Sequence, residues 1–204
     1  SAMALAWLTE QAGLPIGVYH VLCGDPQAIG KALLEDPEVR LIAFTGSTQT
    51  GRYLMTEAGR QVKRVCLELG GNAPFIVFAD ADLEQAADDV VWLKTSNSGQ
   101  VCVTANRIFV ERSIHEPFIE RVILRLKRHR LGIGTDPKAT MGPLIDQRAL
   151  KKVKSLVEQA IAAGARVRYQ GEVPDACRNG YFYPPVVLVD VSADMPGVCE
   201  EVFG

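Results

Sequence analysis

The sequence predicts an α/β protein, with mostly parallel open sheets and flanking helices. Short apolar runs of strand length alternate along the chain with segments of helical periodicity. The run Pro74–Phe78 (Pro-Phe-Ile-Val-Phe) is apolar without interruption, the pattern of a parallel strand covered on both faces. Over His115–Arg130 the apolar residues fall at 118, 119, 122, 123 and 126, one face of an amphipathic helix.

In chain order, residues 3–12 read as the end of a helix stopped by Gly13 and Pro15. Val18–Leu22 reads as a short strand, with a Gly24-Asp25-Pro26 turn behind it. Residues 27–36 form a short helix ended by Asp36-Pro37, and Arg40–Phe44 is an apolar strand. Gly46–Gly51 leads into a helix over about 49–59, and Val65–Leu69 is the next strand, followed by Gly70-Gly71. After Pro74–Phe78, Asp80 or Asp82 caps a helix that runs to about Lys94 and is broken by the polar Ser96–Gln100. Arg107–Val110 is a strand, and His115–Arg130 a helix. A loop over Gly132–Pro143 precedes a helix at about 146–163, ended by Gly164. Arg166–Tyr169 and Pro185–Val191 complete the strands. The flexible pair Gly70-Gly71 marks the internal boundary.

Composition narrows the function classes. The 204 residues are 48% hydrophobic and 23% charged, the balance of an ordinary folded domain. A formal net charge of -2 provides no electrostatic basis for nucleic acid or an anionic membrane as partner. No apolar stretch approaches the roughly 18 residues of a membrane-spanning helix. Ser1-Ala2-Met3 lacks the basic region and apolar core of a secretory signal, and reads as two added residues ahead of a native Met. Cys23, Cys66, Cys102, Cys177 and Cys199 are scattered and form no C-x-x-C pair, so no metal site is expected. Reduced thiols in a cytoplasmic protein are the simplest account.

Three segments hold residues capable of chemistry. Phe44-Thr45-Gly46-Ser47-Thr48 joins a strand to a helix start, where unpaired N–H groups favour an anion; Ser47 or Thr48 serves equally as an ordinary helix cap. Cys102 follows the polar turn Asn97-Ser98-Gly99-Gln100, a setting for a reactive thiol, although cysteine is more often an inert core residue. Glu68 sits in the apolar strand Cys66-Leu67-Glu68-Leu69, where apolar surroundings would raise its pKa toward that of a general base; alternation equally allows it to face solvent. Lys127-Arg128-His129-Arg130 reads as a solvated helix end, and Asp80, Asp82, Glu84, Asp88 and Asp89 as helix-start decoration. His20, His115 and His129 lack ligand spacing.

Phe44–Gly51 (FTGSTQTG), Leu67–Pro74 (LELGGNAP) and Asn97–Cys102 (NSGQVC) together resemble the signature stretches of the aldehyde dehydrogenase superfamily. Glu200–Gly204 (EEVFG) resembles a fourth, and the separation of Glu68 and Cys102, 102 minus 68 or 34 residues, matches as well. The resemblance implies NAD or NADP as cofactor and a small aldehyde as substrate. Cys102 would form a thiohemiacetal and then a thioester, and Glu68 would activate the hydrolytic water. Gly46 and Ser47 would contact the cofactor pyrophosphate, Glu201 the nicotinamide ribose, and Phe203 would pack beside it. The backbone N–H of Cys102 would be one oxyanion donor.

The resemblance also implies what is missing. The family's chains are more than twice this length. Absent are the first cofactor-domain strands with their adenosine-ribose lysine, the oxyanion Asn, and a C-terminal segment that pairs subunits of a homo-oligomer. Residues 1–67 then resemble part of a Rossmann-like NAD(P)-binding domain, and 68–204 a catalytic domain incomplete at its C-terminus. The wording LELGGNAPFIVFADADLE and GQVCVTANR is similar to succinate semialdehyde dehydrogenases. Two departures from those enzymes are Thr95-Ser96-Asn97, where many have an Arg, and Thr104, where some have a second Cys. The competing expectation is a catalytically silent folded domain. A cysteine hydrolase lacks a His partner motif, and an acyl-CoA-forming relative would not need Glu68.

Overall fold

Residues 1–204 are described by a computed structural model. The chain divides into two compact units, Ser1–Glu68 and Leu69–Gly204.

In the first unit, helix α1 (Ala2–Gln11) buries none of its residues. Helix α2 (Pro26–Glu35) starts where the Asp25 carboxylate accepts from the N–H groups of Gln27 and Ala28, with Pro26 at the position that needs no N–H. Strands β1 (Leu41–Gly46) and β2 (Arg64–Leu69) pair, and helix α3 (Thr48–Arg60) connects them. Burial alternates along both strands, so Ile42, Phe44 and Val65 face a small core of Leu34, Leu54 and Ala58 from α2 and α3. The opposite face, with Leu41, Ala43, Cys66 and Glu68, is open. Lys63 ties the start of β2 back to the α2–β1 connection by donating to the carbonyls of Asp36 and Val39. The strand expected at Val18–Leu22 does not form. Both Val18 and Leu22 are exposed, and no neighbouring strand offers a ladder to satisfy their backbone groups.

The second unit is built on α4 (Leu83–Thr95) and α5 (His115–Leu126), packed against the parallel pair β3 (Pro74–Val77) and β4 (Arg107–Val110). Register places Pro74 opposite Arg107 and Val77 opposite Val110. Val77, Ala87, Val90, Val91, Phe118, Val122 and Leu126 form the core. Asp82, rather than Asp80, caps α4 by accepting from Glu84 and Gln85 N–H. The run Pro74–Phe78 is covered on one face only: Val77 is buried, whereas Ile76 is 58% exposed and Phe78 63%. The helices pack on the Val77 side alone, which is why uninterrupted apolarity misread the burial.

Helix α5 stops at Leu126, four residues before the expected end. There the N–H groups of Arg128 and His129 turn back to the carbonyls of Arg125 and Leu126, a tighter turn than the α-helix. His129 is half-buried, and burial pushes its imidazole pKa down. Arg125 bridges the two helices by pairing with Asp88 and Glu84, while Arg121 also pairs with Glu84. These guanidinium groups hold both carboxyls below their usual range. Helix α6 (Gln147–Ala162) is capped by Asp146, which accepts from Ala149 N–H at 2.8 Å. The last strands, β5 (Arg166–Gln170) and β6 (Val186–Val189), pair antiparallel with an irregularity between Val167 and Tyr169.

Candidate active site

The nucleophile candidate sits in a loop of unusual backbone. Helix α4 ends at Thr95, and the chain then turns through Asn97, Ser98 and Gly99 with φ of +48°, +56° and +75°. Three successive left-handed residues are disfavoured for L-amino acids, by roughly 1–2 kcal/mol each at the two that are not glycine. Specific bonds hold them there. Ser98 Oγ donates to the Gly142 carbonyl at 2.8 Å, and Asn97 Nδ2 to the Gln100 carbonyl at 3.0 Å. Gln100 Nε2 donates to the Asn97 carbonyl at 3.0 Å, and Gln100 Oε1 accepts from Ile145 N–H at 2.8 Å.

Val101–Thr104 then makes a turn closed by Thr104 N–H on the Val101 carbonyl, with Cys102 exposed at its second position. Thr104 is buried and anchors the far side by donating from its hydroxyl to the Leu93 carbonyl at 2.8 Å. No acceptor within the chain takes the Cys102 N–H, which leaves it open to a substrate oxygen. An accessible thiol beside a free N–H is the arrangement that a nucleophile with an adjacent oxyanion donor requires.

Gly99 is required twice over: its φ is left-handed, and a Cβ would lie 2.6 Å from the backbone of Gly204. Gly99→Ala is expected to lower the unfolding free energy by at least ~1–2 kcal/mol from the backbone conformation alone. Urea unfolding checks it, and an unchanged midpoint would contradict the left-handed loop.

A second cluster gathers around Asn72 and Asn106. Asn106 Nδ2 donates to Asn72 Oδ1 at 2.7 Å and to the Glu200 carbonyl at 2.9 Å, while Asn106 Oδ1 accepts from Val202 N–H at 3.2 Å. Asn72 Nδ2 donates to the Val198 carbonyl at 2.7 Å. The EEVFG segment is thereby fastened beside the start of β3. Lys152 Nζ donates to the Glu201 carbonyl at 2.8 Å. The Glu201 carboxylate lies against Gly70, leaving no room for a Cβ there, and its buried Oε1 has no hydrogen-bond partner. An orphaned buried carboxylate oxygen is costly, and fits a hydroxyl-bearing ligand. Phe203 is exposed, with a left-handed φ of +58°. Lys94 is largely buried, its ammonium donates to the Gly204 carbonyl at 3.1 Å, and burial pushes its pKa down.

In the first unit, Ser47 caps α3 by accepting from Thr50 N–H at 3.2 Å. Gly46 lies under the Phe44 ring, which occupies the space that a side chain would need. The open N-terminal turn of this helix suits an anion. Glu68, at the end of β2, is exposed on the uncovered sheet face, the second of the two settings that the sequence left open for it. Only one face of β1–β2 carries helices, so the alternation expected of a half-covered strand decides its environment. Sequence reasoning missed Asn72, Asn106 and Gln100 as organising side chains, although all three lie inside the quoted motifs.

Residues 1–204 match the model of the aldehyde dehydrogenase family. The chain belongs to the aldehyde dehydrogenase family. It is 44% identical to the NADP(+) succinate-semialdehyde dehydrogenase GabD of Escherichia coli (strain K12), over 100% of this chain and 42% of that protein. It is 43% identical to a glutarate-semialdehyde dehydrogenase of Pseudomonas aeruginosa, again over 100% of the chain and 42% of the relative. The crystal structure of succinate-semialdehyde dehydrogenase from Burkholderia pseudomallei superposes with a TM-score of 0.96 at 44% identity, covering 100% of this chain and 42% of that one. The chain thus spans about 42% of the length of the curated relatives it matches. No helix in it is long and apolar enough to cross a membrane.

Proposed function

We propose that this chain carries the nucleophile and the base of an NAD(P)-dependent aldehyde dehydrogenase that converts an aldehyde to a carboxylic acid. The observation that carries this reading is the exposed Cys102 thiol beside its own unclaimed N–H. The Cys102 thiolate attacks the aldehyde carbon, and the new C–S bond leaves a thiohemiacetal whose oxyanion accepts from the Cys102 N–H. The hydride lost from that carbon has a bound nicotinamide as its acceptor, which is the chemistry the cofactor supplies. Glu68 then takes a proton from water, the water attacks the thioester, and the C–S bond breaks to release the acid and restore the thiol.

Cofactor contacts are assigned on the same reading. Gly46 and Ser47 at the start of α3 would meet the pyrophosphate, Glu201 would accept from a ribose hydroxyl, and Phe203 would lie beside the nicotinamide. Residues 1–67 would be part of the NAD(P)-binding domain and 68–204 the catalytic domain. The names of the relatives point to aldehydes with an acidic tail, and succinate semialdehyde, oxidised to succinate, is the first substrate to try. A cytoplasmic homo-oligomer as the complete enzyme belongs to the same proposal. The 204-residue chain by itself is proposed not to turn over, since hydride transfer needs a cofactor fully held at near-attack distance.

Steady-state NAD(P)H formation with a panel of aldehydes, run on this chain and on a full-length enzyme containing it, tests the reading. Activity is expected from the full-length protein and not from the chain. A full-length protein that folds and binds cofactor, yet oxidises no aldehyde, would leave the second reading, a catalytically silent domain.

A further inference from the structure

We propose that Gln100 is the positioning residue of Cys102, a clamp that ties the nucleophile turn to the loop leading into α6. Its side chain reaches in two directions at once. Oε1 accepts from Ile145 N–H at 2.8 Å, and Nε2 donates to the Asn97 carbonyl at 3.0 Å and, at a longer 3.4 Å, to the Pro143 carbonyl. Asn97 answers by donating its Nδ2 to the Gln100 carbonyl at 3.0 Å, and Gln100 N–H closes on the Asn97 carbonyl at 3.1 Å. Two residues thus share a closed ring of bonds immediately before Val101-Cys102.

The far end of the clamp is rigid. Leu144 is buried, and its N–H donates to the Tyr181 carbonyl at 2.9 Å. One residue beyond Ile145, Asp146 caps α6, a helix of 16 residues. Ser98 adds a parallel strut to the Gly142 carbonyl at 2.8 Å. Only Val101 separates the clamp from the thiol, and the left-handed Asn97–Gly99 just ahead of Gln100 would relax to ordinary backbone without the clamp. Relaxation would rotate the Val101–Thr104 turn and with it the Cys102 N–H. The thiol would stay exposed, while the angle between Sγ and its oxyanion donor would be lost.

This rests on Cys102 being the nucleophile of the proposed function, but its test needs no nicotinamide cofactor. Two reagents separate position from exposure. Iodoacetamide alkylates Sγ by displacing iodide and needs no oxyanion donor. p-Nitrophenyl acetate acylates Sγ through a tetrahedral oxyanion, the new S–C bond forming as p-nitrophenolate departs with the C–O electron pair. Both rates are read at Cys102 by peptide mass spectrometry, with the exposed Cys66 and Cys199 as internal references.

Gln100→Met, neutral and close in shape, is expected to lower the ratio of acylation to alkylation at Cys102 at least tenfold and to leave the reference thiols unchanged. Asn97→Gly, which tolerates the left-handed backbone and removes one bond of the ring, is expected to move the ratio the same way by a smaller factor. It keeps the test open if Gln100→Met does not fold. A ratio within twofold of the unsubstituted chain in the folded variants would overturn the clamp while leaving the nucleophile assignment intact. No acylation of Cys102 in the unsubstituted chain would overturn both.

Discussion

Cys102→Ala is expected to reduce aldehyde-dependent NAD(P)H formation by the full-length protein by more than about 10⁴-fold, because in the proposed mechanism this thiol forms the covalent intermediate. Its partner variant reads a different step. Glu68→Gln keeps the shape of the side chain and removes the proposed base, so acylation is expected to proceed and hydrolysis of the thioester to slow by about 10²–10⁴-fold. The acyl-enzyme should then accumulate and appear as added mass on the peptide containing Cys102. Equal loss of both steps in Glu68→Gln would assign that carboxylate to positioning or stability. Full activity in Cys102→Ala would end the covalent mechanism. Cys102 is exposed in a turn, so its truncation opens no core cavity and the variant is expected to fold.

Phe118→Ala is expected to destabilise the second unit by ~3–5 kcal/mol, a large share of the ~5–15 kcal/mol typical of a domain. Phe118 is 2% exposed and sits in the one cluster shared by α4, α5 and β3. Nothing nearby is placed to collapse into the space, since Val77, Val90 and Val122 are short and branched. Urea unfolding followed through Trp92 of α4, with Trp7 replaced by Phe to silence the first unit, reports the change. A loss below about 1 kcal/mol would mean that α4 and α5 are held by their surface pairs instead. Those pairs, Arg121 and Arg125 with Glu84 and Asp88, keep both carboxylates in water even though the Arg125 side chain is largely covered, and contribute little at each contact. Because the two carboxyl pKa values are lowered in the folded state, any contribution is present above the ordinary carboxylate range and lost as pH falls through the lowered values.

Most elements were legible because their signals are local. Asp82 before Leu83 marks a helix start by chemistry acting over two or three residues, and that cap formed. Apolar spacing along 118, 119, 122, 123 and 126 named the inward face of α5, where all but the half-buried Ile123 are buried. What failed was anything that depends on a distant partner. Val18–Leu22 has the composition of a strand, yet a strand exists only with a neighbour to take its hydrogen bonds. Pro74–Phe78 is apolar on both faces, but only one is covered.

The same holds at the candidate site. The motifs carrying Cys102 and Glu68 could be read directly, and the family they resemble is the one to which the chain belongs. The bonds from Gln100 to Ile145 and from Ser98 to Gly142 span 45 and 44 residues, and no spacing rule reaches that far.

That reach has a consequence for when the thiol acquires its geometry. A nascent chain that has emerged only as far as β4 contains Cys102 but not the loop at 142–145, so the left-handed turn has only its local Asn97–Gln100 bonds and neither strut to Gly142 or Ile145. The segment before the thiol would sample ordinary conformations until α6 is in place. A reactive centre assembled in this way matures late, and a protein paused or cleaved before residue 142 would present a plain, unoriented cysteine.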